Sequence, residues 1–539
     1  MNLQNVLEHA RRLPVTVREA DVIRRAGLAP LSRPDALVHA LLNMRNWGMV
    51  AGAIRIAAHR EPDALGLVDE IGELTFRQLD ERSNALGHAW LDRGMDENSV
   101  IALLCRDHRG LIEAMFAANK IGARALLMNT GFARPQFAQV AAREGVGALV
   151  YDTEFTDILG EIPNSIPRYL AWVDDEGSDH ETIESLIEHG STVDLPRPQK
   201  VGGLVLLTSG TTGTPKGAAR QINSPFAAAQ FLDRIPLRPG ERTFLGAPLF
   251  HGTGLSQFLL TLALGSTTIV RRRFDARATL EALAKYRAEA MVLVPTMLQR
   301  LLNLDEDVIR SYDTSALRII FCAGSALPPE VGNRATELFG DVIYNLYGST
   351  EVAVATVATP QDWRKKPGTV GKSPVGCTVA LYDDDGSKIT SPDTIGRVFV
   401  GSGLRFSGYT GGGSKDEIDG LLSSGDVGHF DSDGLLFIDG RDDDMIVSGG
   451  ENVFPAEVEN LLVEHPSVED AAVIGVEDAD FGQRLKAFVV LRPGQHVSAD
   501  EIKAHVRSNL ARHKVPRDVE FVEVLPRNAT GKLLRANLS

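Results

Sequence analysis

Short apolar runs recur along this chain with helical stretches between them, and that alternation limits the fold more than any other feature. Residues 100–105, 123–128, 148–151, 204–207, 290–294 and 319–322 are dominated by apolar side chains without the polar alternation of a half-exposed strand. A strand covered on both faces has this pattern, because neither face meets water. From Gln78 to Leu91 apolar residues return instead at helical spacing, after a short strand at 74–76. Buried strands separated by helices predict an α/β architecture with stacked, mostly parallel sheets. No internal repeat is apparent.

The texture changes twice. Around 398–444 the chain turns to short strands rich in Gly and Asp, with the run Gly411-Gly-Gly-Ser414, which predicts a small β-rich subdomain. After Asp444 the pattern reads helix (456–464), strands (471–476 and 487–491), helix (499–511) and strand (519–524). That is enough chain for a small α+β domain of its own. The expected organisation is a helical N-terminal extension over 1–50 with pieces broken at Pro14, Pro30 and Pro34, then a large domain over 51–441. A hinge at 442–444 and a small mobile C-terminal domain over 445–539 complete it.

Charge excludes some partners. The chain has 539 residues and a net charge of −15, without the concentrated basic footprint that nucleic acid requires. The first 50 residues carry an excess of Arg over acidic residues, which leaves weak peripheral contact with a membrane open beside the plainer reading of a solvated extension. Three scattered cysteines (Cys105, Cys322, Cys377) make neither a disulfide framework nor a zinc site and suit a reducing compartment. Residues 1–12 carry Glu8 and lack the apolar segment of a signal peptide. The best membrane-span candidate, 258–270, is interrupted by Gly265, Ser266, Thr267 and Thr268, whereas a spanning helix needs about 20 apolar residues. A soluble, cytoplasmic protein is expected, peripheral membrane contact aside. Its oligomeric state is open, a homodimer being one option.

The 204–207 run leads into Thr208-Ser-Gly-Thr-Thr-Gly-Thr-Pro-Lys-Gly217. Glycine lets successive backbone N–H groups converge on an anion, hydroxyls donate further hydrogen bonds, and Lys216 adds a point charge. The string suits a polyphosphate, its competing reading being a polar surface loop. It is not a Gly-x4-Gly-Lys-Ser/Thr loop, so a P-loop kinase or ATPase loses its main support.

That string closely resembles the signature loop of the adenylate-forming superfamily, which comprises acyl-CoA synthetases, firefly-type luciferases and the adenylation domains of peptide synthetases. Further motifs follow in order over roughly residues 50–539. Tyr347-Gly-Ser-Thr-Glu351 resembles the adenine and metal motif: an aromatic ring can stack on a base, Thr350 can hydrogen-bond a phosphate, and Glu351 is a hard oxygen ligand for Mg2+. Ala323-Gly-Ser-Ala326 resembles the turn bordering the adenine, with Ser325 where many members have glycine. Ser424-Gly-Asp426 resembles the element whose aspartate accepts both ribose hydroxyls, although Gly420-Leu-Leu replaces the usual Gly-Trp-Phe. Gly440-Arg441 resembles the second ribose element, with Asp443 at the hinge position. Ser448-Gly-Gly-Glu-Asn-Val-Phe-Pro455 resembles the segment lining the pantetheine channel of acyl-CoA synthetases. Pro526-Arg-Asn-Ala-Thr-Gly-Lys-Leu-Leu-Arg535 resembles the loop bearing the catalytic lysine.

The resemblance implies ATP and CoA as co-substrates with Mg2+, and Lys532, Glu351 and Thr350 as catalytic residues. ATP or AMP would be held by Thr208, Ser209, Gly210, Thr211, Thr212, Gly213, Lys216, Gly324, Ser325, Ala326, Asn345, Tyr347, Gly348, Ser349, Thr350, Asp426, Arg441 and Lys532, the metal by Glu351 and Thr208. CoA would pass Ser448, Gly449 and Gly450. The acyl pocket would be lined by Phe250, His251, Gly252, Val294, Pro295 and Leu298. These are apolar segments with no acid for a substrate amino group, which counts against an amino-acid adenylation domain.

An apolar lining suits an apolar acid, and a medium- or long-chain fatty acid fits it best. The wording of the motifs is most similar to bacterial long-chain fatty-acyl-CoA synthetases, so the expected enzyme is a fatty-acid–CoA ligase forming AMP and pyrophosphate. The alternatives are an aryl-acid CoA ligase, a fatty-acyl-AMP ligase delivering to a carrier protein, and an inactive binding protein. The last is disfavoured by the presence of Lys532, Glu351 and Asp426 together.

Overall fold

Every residue of Val100–Leu104 is buried, and in the computed structural model of the protein this strand lies inside a six-stranded sheet. The structure describes residues 15–28, 34–174, 181–208, 216–219, 228–349, 352–403, 415–442, 444, 446–448, 451–478, 482–528 and 531–538. Strand order in this sheet is Arg168–Trp172, Ala148–Asp152, Val100–Leu104, Arg124–Leu127, Gly203–Thr208 and Lys216–Ala219. All neighbours run parallel except the last pair, which is antiparallel. Apolar side chains of its inner strands meet Phe137, Val140 and Phe155 in one buried cluster. A second run of parallel strands places Ala290–Leu293, Arg242–Leu245, Thr267–Val270 and Leu65–Val68 side by side, with Glu73–Thr75 antiparallel at the end. The α/β architecture with mostly parallel sheets is therefore present, for the predicted reason: strands buried on both faces cannot alternate polarity.

Local chemistry explains the differences. The strand expected at 74–76 stops at Thr75, because Thr75 and Gln78 form a reciprocal capping box that starts the helix Phe76–Asp92 at Phe76. Pro34 begins a helix instead of breaking one, as proline is tolerated in a first turn. That helix runs to Arg60, through the expected boundary at 50, and kinks where Gly48 adopts φ 75°. The 258–270 run divides into the helix Gly252–Ala263 and the strand Thr267–Val270, separated by left-handed Gly265. No helix among the described residues is long and apolar enough to cross a membrane.

A buried lysine locks two helices of this region. Nζ of Lys120, on Arg109–Lys120, donates to the Asp80 carbonyl (2.8 Å), the Asp80 carboxylate (2.7 Å) and Asn84 Oδ1 (2.6 Å). Burial pushes its pKa down to about 8, opposed by Asp80. Three acceptors are what make an ammonium tolerable there.

The described residues group into two compact units: those up to Leu293 with Asn303–Phe321, and Val294–Leu302 with Cys322–Ser402 and the chain from Lys415 onward. The second unit holds two further sheets. One is antiparallel and built from Cys377–Tyr382, Lys388–Ile389, Gly396–Ser402, Glu417–Ile418, Leu421–Phe430 and Leu436–Arg441. The other joins Ile446–Ser448, Glu451–Val453, Val468–Asp478, Gly482–Leu491 and Asp518–Phe521. The helices Pro455–Val463 and Ala499–Asn509 supply Val458, Leu462, Ile502 and Val506 to its core. The paired strands Val468–Asp478 and Gly482–Leu491 exceed the predicted ones because their polar outer positions hide the continuation. Residues 442 and 444 lie within this unit, and a hinge at 442–444 remains a proposal.

Candidate active site

The hairpin Leu421–Phe430/Leu436–Arg441 sets Asp426 directly opposite Arg441. Arg441 Nε stands 3.5 Å from Asp426 Oδ1. Oδ2 of the same carboxylate accepts the Tyr347 hydroxyl at 2.6 Å. Ser424 Oγ accepts the Asp426 backbone N–H at 3.1 Å and donates to the Val398 carbonyl at 3.0 Å, which fixes the turn carrying the acid. Burial raises the Asp426 pKa, opposed by the Tyr347 hydroxyl, Arg441, Ser424 and the charge of Lys532. The Tyr347 phenol is likewise raised, by burial first and by the adjacent carboxylate second. Two residues expected around the ribose and adenine, Tyr347 and Arg441, thus converge on the largely buried carboxyl of a third, Asp426, within the field of the expected catalytic lysine.

Tyr347 sits on Ile343–Ser349, paired with Ala353–Ala358 across a bulge at Tyr347/Gly348. Gly348 admits no side chain: a Cβ there would strike the Ala353 carbonyl oxygen. Ala353 holds left-handed φ 60°, rarely adopted by alanine, at the ladder's last pair with Ser349. Ser349 Oγ accepts the Val352 N–H. Asn345, expected at the nucleotide, is buried, and its Nδ2 donates to the Thr369 carbonyl at 3.1 Å, so at least one of its donors is committed to the fold. Gly324, at φ 99°, makes the turn after Ile319–Cys322; Ser325 is half-buried and Ala326 exposed. Val294 lies 3.5 Å from where a Gly324 Cβ would stand, which joins the expected adenine turn to one acyl-lining segment. On that segment Val294, Pro295 and Leu298 are all buried.

Lys532 is exposed on a tight turn. Its N–H donates to Asn528 Oδ1 (2.9 Å), and its carbonyl accepts the Asn528 N–H (2.9 Å). Arg527 Nη1 donates to the Gly531 carbonyl (2.8 Å) while its guanidinium pairs with Asp470 (2.8 Å). Gly531, at φ 75°, presses so closely on Thr296 that a Cβ would collide with it. Arg527 and Asn528 fall within the loop read from sequence as bearing the lysine, but no role was legible for them there, nor for Asp470 or Thr296. Their roles depend on partners that the fold brings to that loop.

The other acyl-lining segment turns a corner. His251 N–H donates to the Pro248 carbonyl at 3.1 Å and precedes the helix Gly252–Ala263. Phe250 is buried, with its ring centroid 4.5 Å from that of His251. His251 Nε2 is buried without a partner among the described residues, and desolvation pushes the imidazole down to about 4, so it is neutral near pH 7. A Cβ at Gly252 would meet nothing within 4 Å, whereas one at Gly254 would strike the carbonyls of Ala247 and Pro248.

The remaining candidates are placed in part or not at all. Thr208 and Lys216 face each other in the ladder Gly203–Thr208/Lys216–Ala219, as backbone. Ser448 pairs with Glu451 and with Gly482. Ser209, Gly210, Thr211, Thr212, Gly213, Thr350, Glu351, Asp443, Gly449 and Gly450 lie outside the described residues.

Residues 54–410 match the family described as AMP-binding enzyme, and 457–532 match the AMP-binding enzyme C-terminal domain. The chain belongs to the AMP-binding enzyme family. It is 31% identical over 472 residues to an indoleacetate–CoA ligase of Aromatoleum aromaticum, covering 86% of this chain and 92% of the relative. A fatty acid–[acyl-carrier-protein] ligase of Streptomyces coeruleorubidus is 30% identical over 501 residues (89% and 94% covered). A feruloyl-CoA synthase of an Amycolatopsis species is 32% identical over 502 residues (92% and 99%). Among solved structures, the anthranilate CoA ligase AuaEII in complex with anthranoyl-AMP superposes with TM-score 0.81 at 27% identity (91% and 96%). The o-succinylbenzoate CoA synthetase of Bacillus subtilis with ATP and magnesium gives 0.78 at 26% (92% and 99%). These relatives support the superfamily read from the motifs, and they do not single out long-chain fatty-acyl-CoA synthetases within it.

Proposed function

We propose that this AMP-binding enzyme is an acid–CoA ligase whose substrate is an aryl or arylalkanoic acid. The observation that carries the activation chemistry is the largely buried Asp426, held by the Tyr347 hydroxyl and Arg441 within the field of Lys532. A carboxylate so placed can accept the ribose hydroxyls of MgATP, and a mobile ammonium nearby can balance the charge of an incoming carboxylate and the α-phosphate. The substrate carboxylate oxygen attacks the α-phosphorus, and the bond to the β-phosphate breaks to release pyrophosphate. The CoA sulfur then attacks the acyl carbon, the bond to AMP breaks, and the thiol proton passes to solvent. Lys532 serves the first step by orienting the two anions.

The aromatic substrate is supported by relatives named for indoleacetate, ferulate and anthranilate. It replaces the fatty acid expected from lining polarity alone, since apolar walls accept alkyl and aryl groups alike. The Phe250–His251 corner, with its neutral imidazole, suits a planar ring. A fatty acid, delivered to a carrier protein, is the second reading, favoured by the carrier-protein ligase among the relatives.

Pyrophosphate release should be followed with MgATP and a panel of benzoate, coumarate, ferulate, indoleacetate, octanoate and palmitate, each with and without CoA. Aryl acids are expected to give AMP and thioester, and Lys532→Ala to lose adenylation by about 100-fold or more. Preference for palmitate would overturn the aryl reading. Adenylate without thioester would overturn CoA as acceptor.

A further inference from the structure

Asp107 belongs to no nucleotide or acyl motif, yet it is buried at 6% exposure between Val100–Leu104 and Arg109–Lys120. Both of its neighbours are clamped by one acid. Asp152 Oδ2 accepts the Arg106 backbone N–H at 2.8 Å, and Oδ1 takes His108 Nε2–H at 2.9 Å. His108 Nδ1 accepts the Gly110 N–H, so the ring proton is on Nε2. Arg106 is held further by Glu154. Asp107 is thereby fixed from both sides, and its Oδ1 accepts the Leu249 N–H at 3.1 Å.

Leu249 opens the corner that ends in Phe250 and His251. That corner is tight: its backbone closes by the His251-to-Pro248 bond, and Gly254 packs under the carbonyls of Ala247 and Pro248. A buried N–H in such a turn needs an acceptor, and here a side chain from 142 residues earlier provides it. Arg106, His108 and Asp152 act on the Asp107 carboxyl, and the buried Cys105 thiol interacts with its charge as well.

We infer that Asp107 is a positioning residue for the acid site, setting the Phe250–His251 corner through the Leu249 N–H. The inference rests on the proposal that this corner receives the substrate acid. If the corner drifts, the acid loses its wall while the nucleotide keeps its own contacts.

The test compares Asp107→Leu, which has no acceptor, with Asp107→Asn, which retains one. In hydrogen exchange of the full chain, Asp107→Leu should lower protection of amides 247–252 by about tenfold, with Asp107→Asn close to wild type. In kinetics, Asp107→Leu should raise KM for the acid about tenfold and change KM for ATP by less than about twofold, and Asp107→Asn should restore the acid KM. Should Asp107→Leu not fold, Asp107→Ser is read by the same measurements. Unchanged protection of 247–252 would overturn the inference, as would an equal rise in both KM values. Exchange also separates this inference from the function: if wild type activates no acid while Asp107→Leu still frees 247–252, the positioning stands and the ligase reading falls.

Discussion

A carboxyl withdrawn from water is costly to ionise, and this protein uses two such acids differently. Asp426 is surrounded by a phenol, a guanidinium and an ammonium, which draw its pKa back towards the usual range against burial. Asp107 has less help: burial pushes it up to about 7, with the Leu249 N–H, His108 and Arg106 opposing and Asp152 adding to the rise. The sign of the consequence is fixed by linkage. The fold retains the Asp107 proton after the unfolded carboxyl, at about 3.9, has lost its own, so stability declines as pH rises from there through about 7. Asp107→Asn removes that decline. Its melting temperature relative to wild type should therefore be higher at pH 8 than at pH 5, by a few °C. Scanning calorimetry at the two pH values checks this, and an unchanged difference would refute the buried ionisation.

Elements position these residues by backbone geometry more than by side-chain attraction. The antiparallel pair 343–349/353–358 brings Tyr347 to Asp426, and Gly348 makes the close approach to Ala353 possible. Gly348→Ala should destabilise the fold by about 2 kcal/mol or more, because the carbonyl it strikes belongs to the ladder itself. Denaturant unfolding measures the loss. Ala353→Gly should act in the opposite direction, relieving a left-handed alanine by about 0.5–1 kcal/mol. Of the motif at this hairpin, glycine and tyrosine were legible in the sequence as residue types. Asp426 was legible too, as the expected ribose acid, but its pairing with the tyrosine hydroxyl was not, because the two are 79 residues apart and meet only across the fold.

At the scale of the whole molecule, a ligand that binds only the folded chain stabilises it by mass action, by about 2.7 kcal/mol at 100 times Kd. MgATP should accordingly raise the melting temperature, and Asp426→Ala should abolish most of the rise. A full shift in that variant would remove Asp426 from the nucleotide site. The measurement tests nucleotide binding whatever acid the enzyme accepts.

The chain's own order determined what depends on near neighbours: the alternation of buried strands and helices, the capping at Thr75, and the residue types at 208–217, 347–351, 424–426 and 526–535. These follow from periodicity and turn chemistry over a few residues. Only tertiary structure decided which acid has its pKa pushed up to about 7, which glycines admit no methyl group, and which carboxylate faces Tyr347. Asp107 in sequence is an acid between a strand and a helix, indistinguishable from a solvated one. Its burial and its hold on Leu249 arise from segments far apart in the chain, and desolvation and close contact depend on where the folded chain brings those segments together.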